Sequence, residues 1–509
     1  MEDYLVVLGF AISTYFFLYL FFQWWISPWL LYRKLRANGF FGPNPNFPLG
    51  NLNQIKNQKP DCSNISSSDD LTAISNDIHS FAFPYFATWQ QSHGKVWVFW
   101  IGTAPFLYIA EPEFLKKMSS DIRGKNWGKA DVFRQDRMAI FGKSVVTSEG
   151  EEWVRRRHFI TGAFSPHHLK ATATLMMEAT ASMVLRWSAQ ICSGEQEIDV
   201  EKEIIFTVAE VAAKTSCGMS CEDGRQVLEK LRALQRVLFY GIGHVGVPFG
   251  KFLSPKRTMS ANKLGKKIDD ILYSAIKRSW VDGSKKDLVG TLMAPGGGAK
   301  QPLAPEEMVD ECKTFFFGMY ETTGLVLTWS LLLLAVHPEW QRQLREEVGE
   351  VVGFGEIKDV SELYGLKKMG WVMNEVLRLY GPVPTVQRQA KHDIKVGNLV
   401  IPNGTNIWID VVSMHHDPNL WGEDVYEFKP ERFENDIHGG CAHKMGFLPF
   451  GFGGRMCVGK NLANLEYRVV LTLILSKFSF TVSSSYCHSP TIILSLRPPD
   501  GIPLVFRHL

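Results

Sequence analysis

The ten residues from Phe450 to Gly459, Phe-Gly-Phe-Gly-Gly-Arg-Met-Cys-Val-Gly, constrain this 509-residue chain more than any other stretch. One cysteine, Cys457, lies among small residues just before a long apolar segment that is typical of a helix. Glycines allow tight turns and a close backbone approach to a flat ligand. The N–H groups of a helix N-terminus and the nearby Arg455 favour the thiolate form of the sulfur. The loop therefore predicts a thiolate that binds a metal, with a buried structural cysteine as the alternative.

These residues resemble the haem-binding loop of the cytochrome P-450 superfamily, Phe-Gly-x-Gly-x-Arg-x-Cys-x-Gly, at every fixed position. The resemblance extends from about Phe47 to the C-terminus through three further motifs. It implies a mainly α fold with small β-sheets, a haem b cofactor (iron protoporphyrin IX) and Cys457 as the axial ligand of the iron. It also implies that Phe450, Arg455 and Gly459 contact the haem.

The N-terminal region carries 29 consecutive residues without a formal charge, from Tyr4 to Tyr32. About 20 apolar residues span a bilayer as a helix, so we predict a transmembrane anchor at residues 1–32. Basic residues follow at 33–36, and the positive-inside bias then places the rest of the protein in the cytosol. A cleaved signal peptide would have a basic start and a shorter apolar core. We expect a single-pass protein, and the resemblance implies the endoplasmic reticulum membrane.

The residues after the anchor are predicted to form a hinge and one large domain. Alternating prolines between Gly42 and Gly50 predict a stiff, extended segment that cannot continue a helix. We therefore assign residues 33–50 to a basic stop and proline-rich hinge, and the resemblance implies one haem-thiolate monooxygenase domain at 51–509. Within it, Asn57 to Asn76 is rich in Ser, Asn and Asp and predicts a surface loop.

Charge and cysteine content restrict the partners and the compartment. A net charge of +3 is too small to indicate nucleic acid as a partner. Eight cysteines are scattered without paired spacing, which is typical of a reducing compartment.

A second motif carries Trp153 and Arg157, which are four residues apart and share one face of a predicted helix. The family has Trp-x-x-x-Arg here, and the resemblance implies that this pair binds one haem propionate while Arg388 binds the other. A planar guanidinium suits a carboxylate, and an indole N–H can also donate. A solvated basic helix face is the alternative. We assign the neighbouring Arg155 and Arg156 to a surface that docks an acidic reductase.

Residues Pro305 to His337 predict one long helix, because proline and two glutamates favour its start. Its middle, from Gly318 to Thr323, resembles the family segment Ala/Gly-Gly-x-Asp/Glu-Thr-Thr. The resemblance implies that Glu321 and Thr322 guide protons to bound dioxygen, since a carboxylate and a hydroxyl can relay through water. The alternative is a polar kink in which a hydroxyl binds the preceding turn. Met319 replaces the second glycine and predicts flexible bulk beside the oxygen site.

A third motif, Glu375-Val-Leu-Arg378, places two opposite charges three residues apart on a predicted helix. Pro-Glu-Arg-Phe, which contains Arg432, supplies a further arginine. The resemblance implies that these three residues form a buried ion network that fixes the segment carrying Cys457. An exposed pair of little energetic consequence is the alternative.

The motifs imply a monooxygenase that hydroxylates a hydrophobic small molecule with O2 and electrons from NADPH–cytochrome P-450 reductase. Phrases such as Asn374-Glu-Val-Leu-Arg-Leu-Tyr and Lys444-Met-Gly-Phe-Leu-Pro-Phe resemble a plant clan. That clan includes cytokinin hydroxylases and brassinosteroid-inactivating, gibberellin-oxidising and terpenoid-oxidising enzymes. We expect a terpenoid, steroid or plant-hormone-like substrate and contact with membrane lipid. Two alternatives remain: an isomerase or dehydratase of this fold that does not use O2, and a non-enzymatic haem- or lipid-binding protein.

Overall fold

A computed structural model describes residues 2–57, 74–119, 127–164, 166–239, 246–248, 250, 254–282, 303–353 and 357–509. These residues are mainly helical and contain four small β-sheets, so the predicted fold class is confirmed. Most of the predicted surface loop between Asn57 and Asn76 lies outside the described residues.

Helices dominate the described chain, and several of them begin at a proline, whose fixed φ angle suits the first helical turn. The α-helices are α1 (Glu2–Phe21), α2 (Ser27–Ala37), α3 (Leu52–Asn57), α4 (Ile78–Ala82), α5 (Pro84–His93), α6 (Pro112–Ser119), α7 (Arg134–Phe141), α8 (Gly150–Ala163), α9 (Pro166–Cys192), α10 (Val200–Cys217), α11 (Cys221–Phe239), α12 (Pro255–Asp282), α13 (Pro305–Gly318), α14 (Gly324–Val336), α15 (Pro338–Val351), α16 (Lys367–Leu379), α17 (Val411–His415), α18 (Pro418–Trp421) and α19 (Lys460–Leu475).

The strands are short and lie mostly before α6 and after α16. They are β1 (Val96–Ile101), β2 (Ala104–Ile109), β3 (Trp127–Gly128), β4 (Glu197–Asp199), β5 (Thr385–Ala390), β6 (Ile394–Val396), β7 (Leu399–Ile401), β8 (Asn406–Asp410), β9 (Phe478–Val482), β10 (Thr491–Ile493), β11 (Ser495–Arg497) and β12 (Pro503–His508). The largest sheet has the order β1-β2-β8-β5-β3, with β2 and β8 parallel. The other sheets are β10-β11, β4-β12-β9 and β6-β7.

The N-terminal helix is long and apolar enough to cross a membrane. Asp3–Ala37 spans 35 residues, and its most apolar window of 18 residues has a mean hydropathy of 2.2 and is not buried. It continues through a π-turn at Phe22–Ile26 and ends five residues beyond the predicted boundary at Tyr32. Pro305–Val336 is also long and apolar enough, but 78% of its window is buried inside the protein. The exposed helix is therefore the one suited to membrane anchoring, and the buried helix belongs to the core.

The segment after α2 packs against strand β1. The N–H of Val98 donates to the carbonyl oxygen of Phe41 at 2.8 Å. The indole of Trp100 meets the rings of Tyr32 and Phe47 edge-on, with centroid separations of 6.4 and 4.9 Å. The end of α2 and the proline-containing segment after it are thus fixed to the edge of the largest sheet.

The central helix contains a distortion that the sequence analysis did not place. The helix predicted from Pro305 to His337 forms as α13 and α14, with a π-turn at Met319–Thr323 between them. The Glu307 carboxylate accepts the N–H of Ala304 at 2.9 Å, which caps the start of α13. Every residue of α14 except the last is buried. Because π-turns in α-helices are frequent at functional sites, the distortion marks the middle of this helix for closer inspection.

Candidate active site

The cysteine loop folds back on itself just before α19. The N–H of Cys457 donates to the carbonyl oxygen of Phe450 at 2.9 Å. Gly451 and Gly453 have φ angles of +72° and +65°, which favour glycine, so the path of the loop depends on them. The Cys457 side chain is accessible, and a Cβ atom added at Gly459 would lie 3.9 Å from the sulfur. The loop therefore presents an accessible thiol with a glycine beside it.

Opposing effects act on the ionisation of this thiol. The protein packed around the sulfur raises the pKa of Cys457, because burial disfavours the thiolate. The N–H of Gly459 and the positive charges of Arg157 and Lys460 act in the opposite direction. The arginine that acts on the sulfur is thus Arg157, whereas the sequence analysis assigned this role to Arg455.

Arg455 instead contacts Trp153. Its guanidinium carbon lies 4.6 Å from the centroid of the Trp153 ring, within the range of a cation–π interaction. Its Nη2 also donates to the carbonyl oxygen of Ser148 at 2.9 Å. The contact joins the cysteine loop to α8, which carries both Trp153 and Arg157. The structure therefore brings together residues from two of the sequence motifs.

Four cations converge beside the loop: Lys129, Arg137, Arg388 and Arg455 act on one another electrostatically. Burial, with Arg455 and Arg137 nearby, lowers the pKa of Arg388 to about 10. Burial lowers the pKa of Arg455 to about 10, and the pKa of Lys129 falls well below its usual value. The carboxylate of Glu149 offsets part of this charge. An excess of positive charge on half-buried side chains suits an anionic ligand, and the two haem propionates fit it.

The π-turn presents one partly exposed hydroxyl. Thr322 is half-buried, whereas Glu321 and Thr323 are buried. The Thr322 hydroxyl donates to the carbonyl oxygen of Gly318 at 2.6 Å, which is the contact predicted for a polar kink. The turn packs against α19, the helix that follows the cysteine loop. The oxygen atom of Thr322 keeps capacity to accept a further hydrogen bond.

Met319 directs its side chain towards α10. Its sulfur accepts a weak hydrogen bond from the Thr215 hydroxyl at 3.8 Å, and the side chain packs in the helical core. The sequence predicts this bulk beside an oxygen site. The contact with α10 shows where the extra volume is accommodated.

Glu321 lies in a buried network on the same turn. The side chain is 1% exposed, and its Oε1 accepts from Gln235 Nε2 at 2.8 Å and from the Ser495 hydroxyl. Its Oε2 accepts from Arg497 Nη2 at 3.2 Å. These donors come from α11 and from the β10–β11 hairpin. Glu321 is therefore a bonded carboxylate that links three elements.

The three residues of the predicted ion network lie together. The guanidinium of Arg378 donates to both carboxylate oxygens of Glu375 at 2.7 Å each, and both side chains are fully buried. Arg432 Nε lies 3.5 Å from Glu375 Oε1. The remaining donors of Arg378 bind three main-chain carbonyl oxygens, those of His415, Val425 and Glu427. This network ties α16 to the chain that leads to the cysteine loop.

The arginines assigned to a reductase-docking surface lie in another ion cluster. Arg156 is 2% exposed and donates to Glu311 at 2.8 Å and to Glu307 at 2.5 Å. Arg155 donates to Glu152 at 2.9 Å and to Glu307 at 2.5 Å. The assignment of Arg156 to an exposed docking surface is therefore wrong, because its charge is buried and paired with carboxylates of α13. Burial raises the pKa of Glu311 to about 7.

Several residues of the site carry no sequence motif. Lys129 and Arg137 join the cation cluster only through tertiary contacts, and no local pattern marks them. Arg497 had a weak signal, because Ser495 and Arg497 alternate with Leu496 in the short strand β11. Alternation in a buried hairpin indicates polar side chains that share a face, but it does not identify their partner.

A cavity of about 1650 Å³ lies beside α7, α8 and α12. Charged residues of the neighbouring cluster, including Arg156 and Glu307, line it. Among the described residues, its lining includes neither Cys457 nor Thr322. Ser148 and Glu149, which neighbour Arg455 and its cation cluster, also line the cavity, so it borders that cluster.

Comparisons with known proteins agree with these motifs. The model of the family described as Cytochrome P450 matches residues 76–505. A protein named cytokinin hydroxylase from Arabidopsis thaliana is 33% identical over 496 residues, which cover 96% of this chain and 94% of that protein. Cytochrome P450 714C2 of Oryza sativa subsp. japonica is 34% identical, with 97% and 96% covered. Cytochrome P450 734A1 of Arabidopsis thaliana is 31% identical, with 96% and 93% covered.

Proposed function

Because this chain belongs to the cytochrome P450 family, we propose that it hydroxylates a terpenoid, a steroid or a plant-hormone-like molecule. Membership makes it a monooxygenase with a haem-thiolate cofactor and implies O2 and a redox partner. The observation that supports the site assignment is an exposed cysteine, Cys457, in a loop whose Arg455 belongs to a cluster of half-buried cations. The substrate class is the part that requires an experiment.

The haem would be held by the cysteine loop and by cations from several elements. The Cys457 thiolate would bind the iron, and the surplus positive charge would bind the propionates. When bound, the haem supplies the activation of O2, which no amino-acid side chain provides. The residues proposed to contact it are Trp153, Arg157, Arg388, Phe450, Arg455, Cys457 and Gly459.

Thr322 and Glu321 are proposed to control proton delivery. The half-buried hydroxyl of Thr322 can accept one hydrogen bond while it donates another to Gly318. Glu321 lies one residue earlier, and its carboxyl group is buried behind the turn. A hydroxyl and a carboxylate in a water-poor site can pass a proton through an intervening water.

The substrate proposal rests on the similarity to the protein named cytokinin hydroxylase and on the clan phrases in the sequence. The runs that begin at Cys312, Glu321, Asn374 and Lys444 are among the phrases that carry the clan resemblance. A hydrophobic small molecule of hormone or terpenoid type is the class that both share. Fold alone does not fix the substrate, so these compounds define the panel to be tested.

The N-terminal apolar helix suggests membrane anchoring, and we propose the endoplasmic reticulum membrane with the catalytic domain in the cytosol. NADPH–cytochrome P-450 reductase is the proposed electron donor, and lipid contacts the anchor. We propose an anchor at residues 1–32, a basic stop and hinge at 33–50 and a monooxygenase domain at 51–509. The continuation of α2 to Ala37 makes the basic stop helical in its first part.

The test uses full-length protein in microsomes that contain the reductase. Panels of diterpenoids, triterpenoids, steroids and cytokinins are incubated with NADPH, and mass spectrometry detects products that have gained one oxygen atom. The matched control is Cys457→Ala, which should lose the product and the thiolate signature in the carbon monoxide spectrum of the reduced protein. Survival of that signature would refute the assignment of Cys457 as the iron ligand.

The same panel separates the two alternative functions. Product formation without NADPH would identify an isomerase or dehydratase. A thiolate signature without turnover of any compound would favour a haem- or lipid-binding protein.

A further inference from the structure

Charged side chains of alternating sign form a series behind the π-turn. Arg232 on α11 binds Glu201, and Arg497 Nη2 lies 3.9 Å from Glu201 Oε1 and 3.2 Å from Glu321 Oε2. The exposed fraction of the side chain falls from 27% at Arg232 to 9% at Glu201 and Arg497 and 1% at Glu321. The series therefore leads from the protein surface to the turn that carries Thr322.

Arg497 is the charged member of the set of donors around Glu321. Gln235 and Ser495 donate through neutral groups, whereas Arg497 donates through a guanidinium. Among the described residues, no other cation forms an ion pair with Glu321. A buried carboxylate that lacks a cation either carries a large desolvation penalty or takes up a proton. Arg497 is therefore the cation that, within the described part of the chain, compensates the Glu321 carboxylate at this depth.

The other ionisable neighbours cannot replace Arg497. Burial raises the pKa of Glu201, while Arg232 and Arg497 oppose this effect. Burial, with Glu321 nearby, raises the pKa of Tyr320 well above its usual value, so the phenol stays neutral. Within the described part of the chain, the Tyr320 hydroxyl and Arg497 Nε have no hydrogen-bond partner. The cluster thus keeps spare donors beside the carboxylate.

We propose that Arg497 is a positioning residue of the proton-delivery site. It holds the Glu321 carboxylate against the β10–β11 hairpin through a charge-assisted hydrogen bond, so that Thr322 is the accessible polar group of the π-turn. The inference deepens the proposed function and rests on it for its catalytic meaning. Its physical content is a single statement: removal of the Arg497 charge transfers a proton to Glu321.

The test uses full-length, haem-loaded protein and does not depend on turnover. Infrared spectra detect protonated carboxyl groups in the wild type, Arg497→Met, Arg497→Lys and the double variant Arg497→Met/Glu321→Gln. We expect about one additional protonated carboxyl per molecule in Arg497→Met, and none in Arg497→Lys or in the double variant. The variant Arg507→Met, an exposed arginine on β12, is the matched control and should match the wild type.

Two results would overturn the inference. One is a folded Arg497→Met protein without the additional band; the other is a band that Glu201→Gln removes and Glu321→Gln leaves in place. If Arg497→Met does not fold, unfolding midpoints of Arg497→Lys, Glu321→Gln and the two combined provide the second measurement. We expect the unfolding midpoint of the combined variant to fall by clearly less than the sum of the decreases in the two single variants. Additive decreases would contradict direct contact between the two side chains. A missing thiolate signature in the wild type would instead indicate failure of the proposed function.

Discussion

Two buried arginine–glutamate pairs in this protein differ in how completely their hydrogen bonds are satisfied. Arg378 uses all five of its N–H donors, two on Glu375 and three on main-chain carbonyl oxygens. Arg497 binds Glu321 through Nη2, while its Nε has no partner within the described residues. A saturated pair has a single arrangement, whereas an unsaturated pair can rearrange at lower cost. The first pair therefore suits a scaffold, and the second suits a site where charge and protons move.

The pairs also differ in how far apart their partners lie along the chain. Glu375 and Arg378 are separated by three residues on α16, so the helix alone brings them close. Glu321 and Arg497 are separated by 176 residues and meet only when the β10–β11 hairpin packs against the central helix. Local helical structure is thus enough to bring Glu375 and Arg378 together, whereas Glu321 and Arg497 meet only in the complete tertiary structure.

The largest effect is expected for Arg378→Met. This change leaves Glu375 as a buried carboxylate without its bidentate partner, and breaking such a pair costs about 3–5 kcal/mol of unfolding free energy. We expect little haem-loaded, folded protein, as measured by denaturant unfolding and by the yield of the thiolate spectrum. The exposed Arg507→Met is the control, and near-normal stability of Arg378→Met would show that the saturated pair is not a scaffold.

Glu466 extends the comparison to a carboxyl group without an arginine. Within the described chain, neither of its oxygens has a hydrogen-bond partner, and burial raises its pKa to about 8. The folded protein therefore holds a proton that the unfolded chain, with a pKa near 4.5, releases at lower pH. The stability contributed by this group is full below pH 4.5 and is lost as the pH rises to about 8.

Glu466→Gln should remove this pH dependence, because glutamine cannot ionise. Near pH 8 we expect the free energy of unfolding of the variant to exceed that of the wild type by a few kcal/mol, because each unit of pKa shift corresponds to about 1.4 kcal/mol. Near pH 4.5 the two proteins should have similar free energies of unfolding. Denaturant unfolding at both ends of the range measures the difference, with the exposed Glu362→Gln as control. Equal pH profiles for wild type and Glu466→Gln would show that Glu466 does not hold a proton.

Thr322→Ala tests the accessible side of the π-turn. We expect haem binding to persist, product formation to fall by roughly ten- to a hundredfold, and reducing equivalents to appear as peroxide. NADPH consumption, product and peroxide are measured together. Thr322→Ser keeps the hydroxyl and should retain most of the product yield. If the ratio of product formed to NADPH consumed is unchanged in Thr322→Ala, protons reach the site through another group.

The smallest effect is expected for Met319→Leu. The Met319 side chain packs against Thr215 on α10, so a change of similar volume should cost less than about 1.5 kcal/mol of unfolding free energy. Product distribution should remain the same, because the altered atoms lie on the α10 side of the helix. A changed ratio of products would place this side chain near the substrate and contradict the observed packing.

The sequence by itself determined the parts of this protein that depend on neighbouring residues. Three features could be predicted from the sequence: the cysteine loop, the N-terminal apolar helix and the Glu375–Arg378 spacing. Local sequence determines turns, the faces of helices and the length of an apolar segment. The family resemblance supplied the overall fold in the same way. The central helix was also predicted, although its π-turn was not.

Only the tertiary structure decided which charges meet. It brought the charge of Arg157 to act on the Cys457 thiol, buried Arg156 among glutamates of α13, and joined Arg497 to Glu321. Each of these contacts links residues that are far apart along the chain. Their geometry follows from how helices and hairpins pack, and the energy of a charge depends on its burial and its partners. No pattern confined to one segment contains that information.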